Sequence, residues 1–243
     1  MAPEKILLLG HRGYRALYPE NTLLAFRKAL EAGADGVECD LQKTADGRYV
    51  VIHDPTTDRV TGAHGEVSRM DLEALRMLDF GSGERIPELS DLLAALPRGA
   101  WLDLELKEET LTRRDCGPIA SLLSGRIDPE HLMVSSFSPR LLGPFRRRGF
   151  TAALLIDERL AALGALPMGI LLLLVRPRFV NLPIGMFDAL GPRRARRIVR
   201  LLRAAGLSVL FWTVNTKKEA AAVRGLADAI VTDEVGRIRQ DLS

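Results

Sequence analysis

The sequence predicts an α/β chain folded as a TIM (β/α)8 barrel with an extra hairpin strand. Three observations predict it. Eight short apolar runs of strand length recur along the 243 residues, and helical stretches separate most of them. Side chains with chemistry gather at the C-terminal ends of those runs, where barrels build their sites. No Gly-rich dinucleotide loop follows the first run, which counts against a doubly wound sheet.

Taken in order, Lys5 to Leu9 is the first strand, closed by Gly10-His11-Arg12-Gly13. Asn21 suits an N-cap, Thr22 to Ala32 is amphipathic, and Gly33 suits the left-handed C-terminal position. Gly36 to Asp54 is two extended runs around Asp46-Gly47. That dipeptide favours a two-residue hairpin turn, because both central residues need φ > 0. Such a turn sets Asp40 opposite His53, and strand alternation puts Glu38 on the same face as Asp40. The flanking Val37, Leu41, Val50, Val51 and Ile52 are apolar. Three ionisable groups inside such a run are costly unless they bind something.

Pro55 to Gly83 is a short polar insertion after the second strand, with a helix expected over Met70 to Leu78. Ser90 is placed to cap a helix from Asp91 to Leu96. Ala100 to Leu106 alternates cleanly, with Leu102, Leu104 and Leu106 on one side and Asp103, Glu105 and Lys107 on the other. Ile119 to Leu123 is helical, and the strand Leu132 to Ser135 leads into Ser136-Phe137-Ser138. Leu141 to Arg148 is a helix closed by Gly149, followed by a strand over Thr151 to Ile156. Arg159 to Leu174 is apolar and helical in pattern, and Pro167 interrupts it. Strands at Phe179 to Leu182, Leu207 to Val214 and Ala229 to Thr232 alternate with helices at Pro192 to Ala205 and Lys217 to Gly225. No repeat or linker divides the chain, so residues 1–243 are expected to form one domain.

Composition excludes several classes. The net charge of +3 is mild. Much of the positive charge lies in Arg193, Arg194, Arg196, Arg197, Arg200 and Arg203, which fit the solvated face of a helix. No aromatics interleave with them, so no nucleic-acid partner is expected. Cys39 and Cys116 give neither metal spacing nor a disulfide framework. There is no charged-then-apolar leader, and the longest apolar run, Leu163 to Val175, falls short of the roughly 20 residues that span a bilayer. A cytoplasmic protein with no integral membrane segment is expected, as a monomer or homodimer.

The strand ends carry the chemistry. Glu38, Asp40 and Glu105 form an oxygen-only set, suited to a hard divalent cation, Mg²⁺ or Ca²⁺, rather than zinc. His11 and His53 can act as acid and base on two sides of a displacement. Arg12 offers a fork for phosphate and Lys107 a point charge. Together these are parts for phosphoryl chemistry. A plainer reading makes Glu105 and Lys107 an ion pair inside the barrel. A Schiff base on Lys107 is disfavoured, because Glu105 beside it opposes the depressed pKa needed.

These residues lie in motifs: GHRG (Gly10 to Gly13), PENT (Pro19 to Thr22), GVECDLQKTADG (Gly36 to Gly47) and VVIHDPTTDRVTG (Val50 to Gly62). LDF with IPELSDLL (Leu78 to Leu93), LELK (Leu104 to Lys107), SSF (Ser135 to Phe137), WTVN (Trp212 to Asn215) and VTDE (Val231 to Glu234) follow. In this order they resemble the glycerophosphodiester phosphodiesterase family. The resemblance implies a TIM barrel that cleaves glycerophosphodiesters to sn-glycerol 3-phosphate and an alcohol with a divalent metal. It implies His11 and His53 as the acid/base pair, and Glu38, Asp40 and Glu105 as metal ligands. It places Arg12, Lys107, Phe137 and Trp212 around the substrate, with Glu20 orienting Arg12 or a histidine. In the mechanism it implies, a glycerol hydroxyl attacks phosphorus and water opens the resulting cyclic phosphate. The short insertion leaves an open rim and a loosely selected alcohol. Residues 157–177 match the family poorly. A buried barrel helix is the expected form there, and a membrane-surface contact would instead favour lysophospholipase D-type cleavage of lysophospholipids.

Overall fold

The computed structural model describes residues 5–157, 159–160 and 165–242, with the side chains of 165–168 also left aside. Eight parallel strands close into a barrel: β1 (Leu7–His11), β2 (Gly36–Lys43), β4 (Trp101–Leu106), β5 (Leu132–Ser136), β6 (Thr151–Leu155), β7 (Phe179–Pro183), β8 (Ser208–Trp212) and β9 (Ala229–Thr232). The pairings β1–β2 and β1–β9 close the ring, and β3 (Tyr49–Val51) lies outside it, antiparallel to β2. The barrel and its extra strand therefore match the expectation.

Side-chain alternation sorts every strand into two faces. Val37, Cys39 and Leu41 of β2, with Leu102, Leu104 and Leu106 of β4, point outward into the main core against the helices. The opposite faces line the lumen. Its lower part is filled by an apolar plug that includes Leu9, Met133, Phe179, Leu210 and Val231. Polar residues occupy the lumen above the plug: Glu38, Asp40, Asp103, Glu105 and Asn181 are all buried.

The helices are α1 (Leu23–Glu31), α2 (Asp58–Thr61), α3 (Leu72–Arg76), α4 (Leu89–Ala95), α5 (Cys116–Leu123), α6 (Pro139–Arg147), α7 (Ala165–Val175), α8 (Met186–Leu190), α9 (Pro192–Ala204), α10 (Lys217–Val223) and α11 (Val235–Leu242). Several differ locally from expectation. Thr22, not Asn21, caps α1 by accepting from Ala25 N, and Asn21 instead takes a left-handed conformation at φ +56°. Glu88, not Ser90, caps α4 through a reciprocal bond with Asp91. The terminal α11 has no counterpart in the sequence reading. α2 and α3 lie in the insertion, whose Val67, Leu72 and Leu75 form a small cluster with Val50, Ile52 and Ile86.

The hairpin differs by one residue from its expected register. Observed pairs are Leu41–Val51, Gln42–Val50 and Lys43–Tyr49. Only Gly47 has positive φ, at +81°, so the connection is a three-residue loop with a left-handed glycine at its end. The Asp46 carboxylate accepts from Leu72 N and Thr44 Oγ1.

Around α7 the expected buried helix is only half realised. Leu171 and Leu172 pack on the core and Val175 is buried, but Ile170, Leu173 and Leu174 are exposed. Residues 161–164 of that expected helix lie outside the described residues. Among the described residues, no helix is long and apolar enough to cross a membrane. Cys39 and Cys116 are free and buried.

Gly36 lets β2 lie close to β4, since a Cβ there would lie 2.2 Å from the Trp101 carbonyl oxygen. Backbone cannot yield as a side-chain tip can. Gly36→Ala should therefore cost about 1–3 kcal/mol of overpacking strain, read as a lower midpoint in denaturant unfolding. An unchanged midpoint would show that these strands separate freely.

Candidate active site

Inward positions of β2 and β4 bring the acids together. Glu38 pairs with Asp103 and Asp40 with Glu105 across the two strands. One carboxylate oxygen from each of Glu38, Asp40 and Glu105 lies within 4.8 Å of the others. Lys107 Nζ sits 2.9 Å from Asp40 Oδ1 and 2.6 Å from Glu105 Oε1. Arg12 Nε lies 3.2 Å from Asp40 Oδ2, and Asn21 Nδ2 donates to the same oxygen at 2.9 Å.

Charge in this cluster is shared unevenly. Burial pushes the Glu38 carboxyl well above the usual range, and repulsion from Asp40 and Glu105 adds to it. Burial and the Asp40 charge push Glu105 up to about 7, although Lys107 opposes them. Burial would raise Asp40 too, but Lys107, Arg12 and His53 outweigh it and hold that carboxyl well below its ordinary value. Lys107 is buried, yet the same two carboxylates push its ammonium upward. The donor set fits a divalent cation. It offers three clustered hard oxygen donors from buried carboxylates.

Two imidazoles flank the acids. His11 ends β1, with Nδ1 2.6 Å from Asp233 Oδ1 and Nε2 3.9 Å from Glu38 Oε2. Asp233 is fixed in turn by Asn215, whose Nδ2 donates at 2.8 Å. His53 Nδ1 lies 2.6 Å from Asp54 Oδ1. Burial would raise Asp54, but bonds from Arg59 and His53 hold it below its usual value, so its carboxylate is ionised. Burial likewise holds His53 below the ordinary histidine value. An ionised partner on each Nδ1 assigns the proton there and leaves Nε2 as the nitrogen available to the cavity.

His53 arrives by a route the hairpin reading did not contain. The strand ends at Val51, and the chain bends over the barrel mouth. Buried Gln42 holds that bend, its Nε2 donating to His53 O at 2.8 Å and Asp54 O at 2.7 Å. Arg12 is equally constrained. Its φ is +50°, its backbone N–H donates to Glu38 Oε2 at 3.0 Å, and its Nη1 donates to Glu20 Oε1 at 2.9 Å. Glu20 thus partners Arg12 rather than a histidine. Arg59, from α2 of the insertion, grips Glu20 with both Nη atoms at 2.9 and 2.6 Å and reaches Asp54 through Nε at 2.6 Å.

Eight of the ten residues singled out from the sequence line this mouth, and Asp40 and Glu20 stand behind it against Lys107 and Arg12. A cavity of about 260 Å³ touches His11, Arg12, Glu38, His53, Glu105 and Lys107. Phe137 and Trp212 form one wall, meeting edge to face at 6.0 Å. Sequence reasoning missed Asp54, Asp233, Asn21, Gln42 and Arg59 as parts of the site. Asp54 and Asp233 carried a signal, each being an acid directly after a strand-end or histidine.

A barrel with carboxylates, paired imidazoles and two cations at its C-terminal mouth defines a phosphoric diester hydrolase. Comparison with known proteins agrees. Residues 11–237 match the glycerophosphoryl diester phosphodiesterase family, and the chain belongs to it. The Bacillus subtilis protein YhdW, named for the same family, is 31% identical over 247 residues, covering 93% of each chain. A glycerophosphodiester phosphodiesterase crystal structure from Thermotoga maritima superposes with a TM-score of 0.82 at 30% identity, covering 96% of both chains. An Oleispira antarctica phosphodiesterase, solved with the product sn-glycerol 3-phosphate, shares the fold with a TM-score of 0.84 at 24% identity, covering 97% of this chain and 96% of its own. The protein is therefore an enzyme of glycerophosphodiester hydrolysis.

Lys107 is the test of the charge balance. Lys107→Met leaves the buried acids uncompensated and should cost on the order of 3 kcal/mol in chelator. Added Mg²⁺ or Ca²⁺ should then raise the variant's melting temperature more than that of the wild type. Equal shifts in both would show that Lys107 does not offset the acids.

Proposed function

We propose that the protein hydrolyses glycerophosphodiesters to sn-glycerol 3-phosphate and an alcohol, with Mg²⁺ or Ca²⁺ held by Glu38, Asp40 and Glu105. His11 and His53 are its acid/base pair. The observation that carries this reading is the pair of Asp–His dyads, Asp233–His11 and Asp54–His53, flanking the carboxylate cluster. Each aspartate orients its ring and stabilises the charge the ring takes on during proton transfer.

The substrate phosphate lies between Arg12 and Lys107. Arg12 supplies a planar fork and Lys107 a point charge, both buried where such charges act strongly. Glu20 holds the Arg12 guanidinium in place. A divalent cation held by Glu38, Asp40 and Glu105 would supply Lewis acidity to the phosphoryl group. One imidazole Nε2 takes the proton of the attacking hydroxyl, and the other gives a proton to the leaving alcohol. Phe137 and Trp212 pack against the organic part of the substrate.

A second reading has one observation in its favour. The exposed Ile170, Leu173 and Leu174 of α7 suit contact with a lipid surface and so a lysophospholipid substrate. Product analysis separates the two. Purified protein is given glycerophosphocholine, glycerophosphoethanolamine or a lysophospholipid, with either cation or chelator. Cation-dependent release of glycerol 3-phosphate from the soluble diesters is expected. Choline released only from the lysophospholipid would favour the second reading, and full activity in chelator would remove the cation from both.

His11→Ala and His53→Ala should each lower kcat by about 10²–10⁴-fold, the usual contribution of an acid/base group. Asp54→Asn should lower kcat while leaving KM close to wild type. Near-wild-type turnover in either histidine variant would refute the assignment.

A further inference from the structure

One stretch of the barrel's outer wall differs from the rest. α6, α7 and α9 connect β5 to β6, β6 to β7 and β7 to β8, so they stand side by side around the ring. Residues 139–206, which span them, hold thirteen arginines, no lysine and three acids. That is a local charge of +10 in a chain whose net charge is +3, so the rest of the chain is net acidic. Among the described residues, Arg203 is the one arginine of α6 and α9 paired with a carboxylate, that of Asp228. On α9, Arg193, Arg194, Arg197 and Arg200 share one exposed face with Leu201, opposite the face that α9 buries. Between the two basic helices, α7 turns Ile170, Leu173 and Leu174 outward at 54, 76 and 73% exposure. Apolar exposure is therefore concentrated where the unpaired arginines are. The proton transfers and phosphate binding described above use none of these side chains.

We propose that α6, α7 and α9 form a face that docks on the surface of an anionic lipid bilayer. The inference goes beyond the hydrolysis reading. It says where the enzyme rests, whichever diester it cleaves. The three apolar side chains of α7, at positions i, i+3 and i+4 of one helical face, enter the boundary between headgroups and acyl chains. The flanking guanidinium groups meet lipid phosphates, whose oxygens their planar forks hold in pairs. α7 is 11 residues long, which is enough to lie on a bilayer and too short to cross one. Other occupants fit less well. A second copy docked about a two-fold axis would set this basic face against itself. A nucleic acid would match the arginines, but aliphatic side chains offer its bases no stacking surface.

Vesicle co-sedimentation of the full chain, without substrate, tests the docking. Phosphatidylcholine vesicles are compared with vesicles in which about a third of the lipid is phosphatidylglycerol, enough to set up a negative surface potential. Wild type should bind the anionic vesicles ~10-fold or more tightly than the neutral ones, and added salt should weaken that binding. Combining Arg193→Gln, Arg197→Gln and Arg200→Gln should lower anionic binding by about 10²-fold, from a contribution of about fivefold per arginine. Combining Leu173→Ser and Leu174→Ser should lower it by ~10-fold, and the loss should persist at high salt, where charge is screened. All five side chains are exposed, so both variants should keep the wild-type melting temperature. Wild type that binds neither vesicle, or both equally, overturns the proposal. So does anionic binding that both variants retain. Duplex DNA bound as tightly as the anionic vesicles, with neither lost in the leucine variant, would mark a general polyanion site. A dimer that the leucine variant dissolves, in a protein that binds no vesicle, would mark a contact between copies. Either result removes the bilayer as the occupant.

Discussion

Repulsion among three carboxylates in a water-poor lumen sets the terms for the rest of the mouth. At 4.8 Å and an effective dielectric constant of 20, each ionised pair repels by about 3 kcal/mol. Three such pairs would consume most of the 5–15 kcal/mol that typically holds a domain together. The structure resolves this in two ways. Lys107 and Arg12 bring positive charge against Asp40, which stays ionised. Glu38 and Glu105 are held toward their neutral forms. At such a cluster, binding of a cation would release protons.

The same constraint explains why so much of the surrounding structure is charged. A guanidinium that faces an acid cluster must be kept from folding onto it. Glu20 holds the far end of Arg12, and Arg59 holds Glu20. Arg59 also binds Asp54, which orients His53. The insertion therefore does more than flank the mouth. Through α2 it links the phosphate-facing arginine to one of the two imidazoles. His11 is supported from the end of β9 through Asp233 and Asn215. Arg15 joins the two supports, with Nε 3.1 Å from Glu20 Oε2 and Nη1 3.7 Å from Asp233 Oδ1.

The sequence displayed the barrel well because period-two alternation in β2 and β4 records which face is wet and which is packed. Leu102, Leu104 and Leu106 against Asp103, Glu105 and Lys107 left no ambiguity. Contacts that depend on a side chain meeting distant backbone left no such trace. Glu88 displaced Ser90 as a cap because Arg48 and Asp91 both bind its neighbourhood. Thr22 displaced Asn21 because Asn21 is drawn to Asp40, a partner nineteen positions away. Asp233 became a partner of His11 only through closure of the ring, which joins the last strand to the first. Asp103 showed its face in the pattern, but its bond from Asn181 depends on closure of the ring, which local sequence does not record.

A one-residue slip in a hairpin normally sends every side chain to the wrong face. Here the expected register was wrong by one residue, yet His53 still reached the acids. The reason is that His53 is not held by strand pairing. Had β3 continued with its observed register, His53 would stand opposite Cys39 and point into the outer core. Instead, β3 ends at Val51, the last bond to β2 runs from Ile52 N to Asp40 O, and the Gln42 amide gathers the carbonyls of His53 and Asp54. Gln42 can do this because it lies two residues beyond Asp40 on the same inward face, completely buried at the top of β2. One strand thus carries two of the three clustered acids and the amide that turns a histidine toward them. The site is built by β2 reaching past its neighbours, and the hairpin serves to return the chain to it.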